Sequence, residues 1–297
     1  MTDVGIKPTY IGKNKDLIFV VPSELFSMGS SPAEIVDRET AKKFSMYIRG
    51  TFKGFEEARK TKYGNENNVK TETTPQFWSD FEKKAKGLGV DFIGYTQILE
   101  NFIFKDLEVY GKNGIILGME MKWDAIKTAP SATCEMEVFR VYKVLGDVTI
   151  ELTGFLKSQG YKSEAHHPFG GKFLYGPHIV ASGLGVMGRN GLIITPEFGP
   201  RQRWSTITTD ADIDILRNQK RDFTELEEFC KKCGACVKNC KGKAVLKEPI
   251  KKELGRITHI DRAKCIQSIL KNNYCSYCLR ICHPQSKNNK KYLKKKK

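Results

Sequence analysis

Apolar residues recur three or four positions apart along two long stretches of the chain, which is the spacing of an amphipathic helix. The pattern runs over residues 33–60 and again over residues 135–160. A shorter helix is predicted to begin at Thr74-Pro75, because a hydroxyl cap followed by proline is typical of a first helical turn. The glycines at positions 87 and 89 are expected to end it.

Short apolar segments between and after these helices predict β-strands. They cover residues 17–21, 90–95, 115–121, 192–195 and 205–209. Because helices and strands alternate, the pattern predicts an α/β (α+β) layered domain over residues 1–220. A second domain is predicted over residues 221–286, followed by a basic tail over residues 287–297.

The composition fits a folded protein rather than a disordered one. The 297 residues are 40% hydrophobic and 10% aromatic, which is enough to bury a sizeable core. The sequence contains no run of 18 apolar residues, so no membrane-spanning helix is predicted. The first residues lack the basic and apolar pattern of an export signal and its arginine pair, so the protein is expected in the cytoplasm.

The net charge of +16 is concentrated at one end of the chain. Residues 287–297 contain seven lysines and no acidic residue, which leaves +9 for the rest. Such a tail is either a solvated extension or a contact for nucleic acid or an acidic partner. The sequence leaves both interpretations open.

Eight of the nine cysteines fall in the final quarter of the chain. In a reducing cytosol, clustered thiols indicate metal binding before disulfides. Three cysteines at successive three-residue steps can reach three corners of an iron–sulfur cube, with the fourth ligand supplied from elsewhere. The first group has the spacing C-x2-C-x2-C-x3-C and consists of Cys230, Cys233, Cys236 and Cys240. The second group consists of Cys265, Cys275, Cys278 and Cys282.

In two-cluster ferredoxins the last cysteine of each motif binds the other cluster. One [4Fe–4S] cluster is then expected to take Cys230, Cys233, Cys236 and Cys282, and the other to take Cys240, Cys265, Cys275 and Cys278. Two zinc sites with four thiolates each would use the same residues. Zinc sites usually pair two C-x2-C knuckles, however, which leaves the third cysteine of the first group without a role. Two iron–sulfur clusters are therefore the preferred interpretation.

Three smaller features each allow two interpretations. Residues 183–188 match G-x-G-x-x-G, but a dinucleotide site needs a helix opening there, and a turn and strand are predicted instead. The pair His166-His167 before Pro168 is either a surface turn or satisfied polar residues, or else it supplies a proton donor in a pocket. Cys134 is predicted to be a small buried hydrophobe, with a redox or nucleophilic role as the alternative.

The glycine-rich stretch 183–201, followed by Thr209-Asp210 and the cysteine groups, resembles the reductive dehalogenase family. Residues 261–266 are similar to the matching segment of the epoxyqueuosine reductases, a sister family. The resemblance implies a nitroreductase-like, cobalamin-binding domain followed by a two-cluster, bacterial ferredoxin-like domain. In such proteins electrons pass singly through the clusters to cobalt, which removes a halide or an oxygen from a small organic substrate. The implied corrinoid contacts are Gly183, Gly185, Met187, Gly188, Arg189 and Asn190.

A two-electron reduction that expels an anion needs a proton donor and a nearby cation. Tyr142 is the candidate donor, with His167 as a second, and Arg201 or Arg203 is the candidate anion stabiliser. The electron donor is expected to be a low-potential protein of the ferredoxin or flavodoxin type. Two other functions stay open: a tRNA-modifying reductase, and an electron-transfer protein without catalytic activity.

Overall fold

The computed structural model describes residues 6–19, 37–64, 70–214, 221–272 and 274–282. Its helices are α1 (Arg38–Lys60), α2 (Pro75–Gly87), α3 (Trp123–Ile126), α4 (Ala132–Ser158), α5 (Tyr175–Ala181), α6 (Thr224–Cys233), α7 (Ala235–Asn239), α8 (Arg262–Lys271) and α9 (Tyr277–Arg280). Its strands are β1 (Tyr10–Ile11), β2 (Phe92–Gln97), β3 (Glu108–Val109), β4 (Asn113–Glu120), β5 (Ser163–His166), β6 (Val186–Met187), β7 (Ile193–Ile194), β8 (Gln202–Thr209), β9 (Val245–Lys251) and β10 (Ile257–Ile260).

The three predicted helices are present as α1, α2 and α4, and their caps explain where they begin. The hydroxyl of Thr74 accepts a hydrogen bond from the Phe77 amide at 3.1 Å. The hydroxyl of Ser131 does the same for the Cys134 amide at 3.1 Å. These side-chain oxygens satisfy amides that have no partner within the helix.

One predicted strand is not formed. Residues 17–19 are irregular, although Leu17 is buried, and the rest of the segment 17–21 lies outside the described residues. Residues 33–36 of the first predicted helix, residues 283–286 and the tail 287–297 also lie outside them. The other predicted strands are present as β2, β4, β7 and β8.

The centre of the fold is a four-stranded antiparallel sheet in the order β2-β4-β8-β5. Successive side chains of a strand point to opposite faces, so alternate residues of β8 contact different elements on the two faces of the sheet. On one face, called here the α4 face, Ser205 shares a 2.7 Å hydrogen bond with Thr149 of α4. On the opposite face Trp204 packs with Leu184 and Ile193. This second face is called the hairpin face, after the β6–β7 pair that contributes to it.

The cysteine-rich part carries the two-stranded β9–β10 sheet and four short helices, α6 to α9. It packs on the core through Leu279, which belongs to the main hydrophobic cluster. The Arg280 guanidinium also donates a hydrogen bond to the Ala129 carbonyl at 3.0 Å. None of the helices in the described ranges has the length and apolar character needed to span a bilayer.

The packing of His167 leads to a stability prediction. Its ring lies between α1 and α4, and a Cβ on Gly146 of α4 would overlap its Nε2 atom. We expect Gly146→Ala to lower the free energy of unfolding by about 1–3 kcal/mol, the usual cost of overpacking. The matched control is Gly154→Ala on the same helix, where a Cβ meets nothing within 4 Å. Because alanine favours helix, it should stabilise by up to about 1 kcal/mol. Urea unfolding checks both, and equal effects would contradict this packing.

Candidate functional site

The structure brings the eight C-terminal cysteines near one another. Four of them, called here the first quartet, line one pocket: Cys230, Cys233, Cys236 and Cys282. The other four, called the second quartet, are Cys240, Cys265, Cys275 and Cys278. Burial and the charges of Cys230, Cys236, Cys233 and Cys278 raise the pKa of Cys282 well above the ordinary value. Burial and the charges of Cys265, Cys275, Cys236 and Cys240 raise the pKa of Cys278 to about 12. Cys236 and Cys278 thus interact across the two quartets, and the division into two ligand sets stays a prediction.

The first quartet lines a partly open pocket. The non-cysteine residues that line it are Arg189, Asn190, Ile194, Phe229, Gly234 and Ala235. Gly234, between α6 and α7, has a φ of 60°, a conformation that glycine adopts readily. The chain can therefore turn tightly and bring Cys233 and Cys236 to the same pocket.

The chemistry of these thiols favours a multinuclear centre. Burial and the nearby cysteines raise the pKa of Cys236 to about 11, so four thiolates here need compensating positive charge. The C-x2-C-x2-C spacing of the first group, completed by a thiol from a remote part of the chain, is the ligand pattern of an iron–sulfur cube.

Backbone amides approach one sulfur of each quartet. The Ala244 amide donates a hydrogen bond to Cys240 Sγ at 3.2 Å. Burial raises the pKa of Cys230, while a hydrogen bond from the backbone of Arg189 and the charge of its side chain act in the opposite direction. Hydrogen bonds of this kind to ligand sulfurs tune the potential of a cluster.

The glycine-rich stretch forms the β6–β7 hairpin rather than a nucleotide-binding turn. No helix opens at it, as predicted. A Cβ on Gly185 would lie 2.7 Å from the Ile194 carbonyl oxygen. Gly191 has a φ of +73°, and a Cβ there would lie 2.5 Å from Ile260 of β10. Glycine is therefore required by close packing, part of it against the cysteine-rich region.

Arg189 connects this hairpin to the cysteine-rich region by hydrogen bonds. Its guanidinium donates hydrogen bonds to the Lys231 carbonyl at 3.1 Å and to the Lys247 carbonyl. Met187 is partly exposed at 37%. Asn190 is buried and caps the turn, because its side-chain oxygen accepts from the Leu192 amide at 3.1 Å.

Tyr142 and Arg203 lie together on the α4 face. The guanidinium carbon of Arg203 stands 4.7 Å from the centre of the Tyr142 ring. The Nε atom of Arg203 is buried and has no hydrogen-bond partner among the described residues. Glu135 is nearby: burial raises the pKa of its carboxyl to about 7, and the charge of Arg203 opposes that rise. Sequence reasoning missed Glu135, since one acidic residue in a helical pattern gives no signal.

Arg201 is occupied by other groups. Its guanidinium forms an ion pair with Glu120 and donates to the Met121 carbonyl at 3.0 Å. Of the two candidate arginines, Arg203 therefore has the more available charge. The hairpin contacts both faces: Ile193 belongs to the cluster on the hairpin face, whereas Leu192, like Tyr142, packs against the main hydrophobic cluster.

The interpretation of the histidine pair as a surface turn is wrong, because both residues are buried. His166 points to Thr208, with 3.1 Å between its Nε2 and the hydroxyl. The Nδ1 atom of His167 accepts a hydrogen bond from the Phe169 amide at 3.0 Å. Burial lowers the pKa of His167 to about 3, so its ring is neutral near pH 7. Cys134 is buried in the main core as predicted, and burial raises its pKa to about 12.

The neutral His167 predicts a loss of stability in acid. Between its unfolded pKa of about 6.5 and its folded pKa of about 3, only the unfolded state binds this proton. Stability should therefore fall by about 1.4 kcal/mol per pH unit below pH 6.5 on account of His167. We expect His167→Gln to lose about 2 kcal/mol less than wild type between pH 7.5 and 5.0. The partly exposed His259 supplies the control, His259→Gln; anoxic urea unfolding that finds all three proteins equally acid-sensitive would contradict the prediction.

Comparison with known proteins relates the chain to dehalogenating enzymes. It is 30% identical over 221 residues to a tetrachloroethene reductive dehalogenase of Desulfitobacterium hafniense, covering 68% of this chain. The chain spans 38% of the length of that relative. No protein-family model matches.

Solved structures share the fold. A catabolic reductive dehalogenase in complex with 3-bromo-4-hydroxybenzoic acid matches over 95% of this chain and 44% of its own, with a TM-score of 0.71 and 17% identity. A reductive dehalogenase described as B12-dependent matches over 93% of this chain and 43% of its own, with a TM-score of 0.69 and 17% identity. An epoxyqueuosine reductase from Streptococcus thermophilus aligns more loosely, with a TM-score of 0.46.

Proposed function

Because the chain belongs to the reductive dehalogenase family, we propose that it is an oxidoreductase that removes a halide or an oxygen from a small organic substrate. The proposal includes two [4Fe–4S] clusters and a cobalamin, with electrons from a ferredoxin or flavodoxin. We place it in the cytoplasm, where thiols stay reduced. The observation that supports it most is the pair of cysteine quartets packed on a core homologous to these enzymes.

The proposed division of labour follows the predicted boundaries. Residues 1–220 would form a nitroreductase-like domain for the corrinoid and substrate, and residues 221–286 would form the ferredoxin-like domain. The first quartet would bind one cluster and the second quartet the other, so that all eight cysteines are ligands. The pocket inside the first quartet and the amides directed at Cys230 and Cys240 support this assignment.

Buried polar atoms on the hairpin face suit a large polar cofactor. The Thr206 hydroxyl, the Gln202 amide oxygen and the Asn190 amide nitrogen are buried and have no hydrogen-bond partner among the described residues. Buried polar atoms are nearly always satisfied, so a polar ligand or water would complete these bonds. When bound, cobalamin supplies a cobalt centre for electron uptake and cleavage of the carbon–halogen bond. The residues proposed to hold it are Gly183, Gly185, Met187, Gly188, Arg189 and Asn190.

On the α4 face, Tyr142 would hold the proton that replaces the leaving group, and Arg203 would stabilise the departing anion. The Tyr142 hydroxyl is a hydrogen-bond donor, whereas His167 carries no extra proton near neutral pH. Glu135 would set the local charge beside Arg203. Arg201, paired with Glu120, would have a structural role.

The test is anoxic purification from cells supplied with cobalamin, followed by analysis for iron, sulfide, cobalt and zinc and by EPR. We expect about eight irons per chain and bound cobalt, with reductant-dependent halide release from tetrachloroethene or 3-bromo-4-hydroxybenzoic acid. A preparation with zinc in place of iron would overturn the cluster assignment. Full clusters with neither cobalt nor halide release would instead favour the electron-transfer alternative, and salt-sensitive tRNA binding would favour the tRNA-modifying one.

A further inference from the structure

An unusual concentration of exposed apolar side chains lies on the β9–β10 hairpin. Ile250, Leu254 and Ile257 are 49%, 53% and 52% exposed, within eight residues of one another. The base of the hairpin is buried, since Val245 is 7% exposed, so the ribbon projects from the surface and leaves its tip uncovered. Single exposed apolar residues are ordinary, but a group of them surrounded by polar residues marks an interaction site.

Leu254 at the tip has an unfavourable backbone as well as an exposed side chain. Its φ of 55° and ψ of 31° lie in the left-handed region. A bulky residue seldom adopts this conformation, and glycine or asparagine would fit it at lower cost. Nothing in the described contacts of Leu254 offsets that cost within the fold. Strain of this kind, held at an exposed position, is typical of a residue kept for binding.

The surroundings of the hairpin are strongly basic. Between residues 231 and 272 the chain has twelve lysines and arginines and three acidic residues. The hairpin lysines Lys247, Lys251 and Lys252 are all exposed. Lys231 and Lys232 on α6, beside the first quartet, are exposed too. A partner that lies along this surface should therefore be acidic.

The β9–β10 hairpin is directly connected to the residues around the cysteine quartets. The Ala244 amide, just before β9, donates to Cys240 Sγ. The carbonyls of Lys247 in β9 and Lys231 in α6 accept from the same Arg189 side chain. The flank of the hairpin and the helix beside the first quartet are thus parts of one surface, called here the basic hairpin surface.

Resting on the function proposed above, we propose that the basic hairpin surface is the docking site of the electron donor, a small acidic protein of the ferredoxin or flavodoxin class. Leu254, Ile250 and Ile257 provide the apolar anchor, and the lysines orient the partner. One electron passes at each encounter, so the donor's centre is oxidised and a cluster is reduced, with no bond made or broken.

Two other occupants fit less well. A second copy of the chain would bring two surfaces of the same charge together, which is unfavourable. Nucleic acid would be attracted by the lysines, but residues 245–260 contain no Phe, Tyr or Trp on which a base could stack. Exposed isoleucine and leucine are instead the anchors of a protein interface.

The test measures anoxic reduction of the full chain with its clusters by stopped-flow absorbance. A reduced ferredoxin and a reduced flavodoxin serve as protein donors, and titanium(III) citrate serves as the small reductant. The first variant is Leu254→Asn, which removes the anchor and suits the left-handed backbone. The second is the charge reversal Lys247→Glu/Lys251→Glu/Lys252→Glu. The control is Met46→Gln, which changes an apolar side chain of similar exposure, 46%, on α1.

We expect wild type to be reduced by at least one protein donor at a rate that falls with added salt. Both variants should lower that second-order rate by about tenfold or more, within the range of electrostatic steering. Reduction by titanium(III) citrate and the Met46→Gln control should be unchanged.

Rates for both variants equal to wild type would overturn the docking proposal and leave the proposed function intact. A wild-type protein that titanium(III) citrate reduces but neither protein donor does would overturn it too, as would loss of tRNA binding in the variants without loss of donor rate. A chain without iron would instead refute the proposed function itself.

Discussion

Cys236→Ser should remove one iron–sulfur cluster and leave most of the other, so that iron falls from about eight to about four per chain. The reason is that Cys236 lines the same pocket as Cys230, Cys233 and Cys282, with which it is proposed to bind one cluster. Serine is a poor ligand for iron and leaves that cluster with three thiolates. Iron and sulfide analysis with EPR on anoxically purified protein measures the loss.

The same substitution at Cys134 is the matched control. Cys134 is a buried cysteine of the main core and belongs to neither quartet. Cys134→Ser should therefore keep both clusters, although it places a hydroxyl in an apolar site. Cys278→Ser should remove the other cluster, with its own EPR signature. Equal loss of both clusters in Cys236→Ser, in a protein whose tryptophan fluorescence still shows a folded core, would contradict the crossed assignment.

Tyr142→Phe should lower the rate of halide release by about 100-fold or more, the usual contribution of a positioned proton donor. Phenylalanine keeps the ring that Arg203 covers at 4.7 Å, so the local packing should survive. Cluster content, cobalt content and the free energy of unfolding should stay close to wild type. Steady-state turnover with a chemical reductant measures the effect independently of any protein donor.

Tyr161→Phe provides the comparison, because its hydroxyl donates to the Glu72 carbonyl at 2.9 Å, away from Arg203. It should leave turnover unchanged. Unchanged turnover in Tyr142→Phe would exclude Tyr142 as the proton donor.

Local features of the fold could be predicted from the sequence. The cap Thr74-Pro75 and the apolar periodicity of α4 depend on neighbours a few residues away, so they identify helices directly. The spacing of the cysteines likewise indicates which kind of metal centre they are suited to bind. The strand predicted at residues 17–21 is not formed at residues 17–19, where Leu17 is buried but Ile18 is 62% exposed, so an apolar run alone does not show that a segment joins a sheet.

Features that depend on distant partners could not be predicted. Arg201 and Arg203 are equivalent in the sequence, and only Glu120, 81 positions away, distinguishes them by pairing with Arg201. The burial of His167 could not be predicted, because nothing near it in the chain shows that α1 and α4 enclose its ring. The raised pKa of Glu135 could not be predicted either, because tertiary packing is what removes its carboxyl from water.

The hydrogen bonds of Arg189 have a consequence for maturation. The carbonyls that it holds belong to α6 and β9, and metal sites of this kind often fold only when the metal is present. Before the proposed clusters are inserted, the glycine hairpin should therefore lack its anchor on that side. On the proposed function, biogenesis should accordingly be ordered, with iron and sulfide delivered first and cobalamin bound only afterwards.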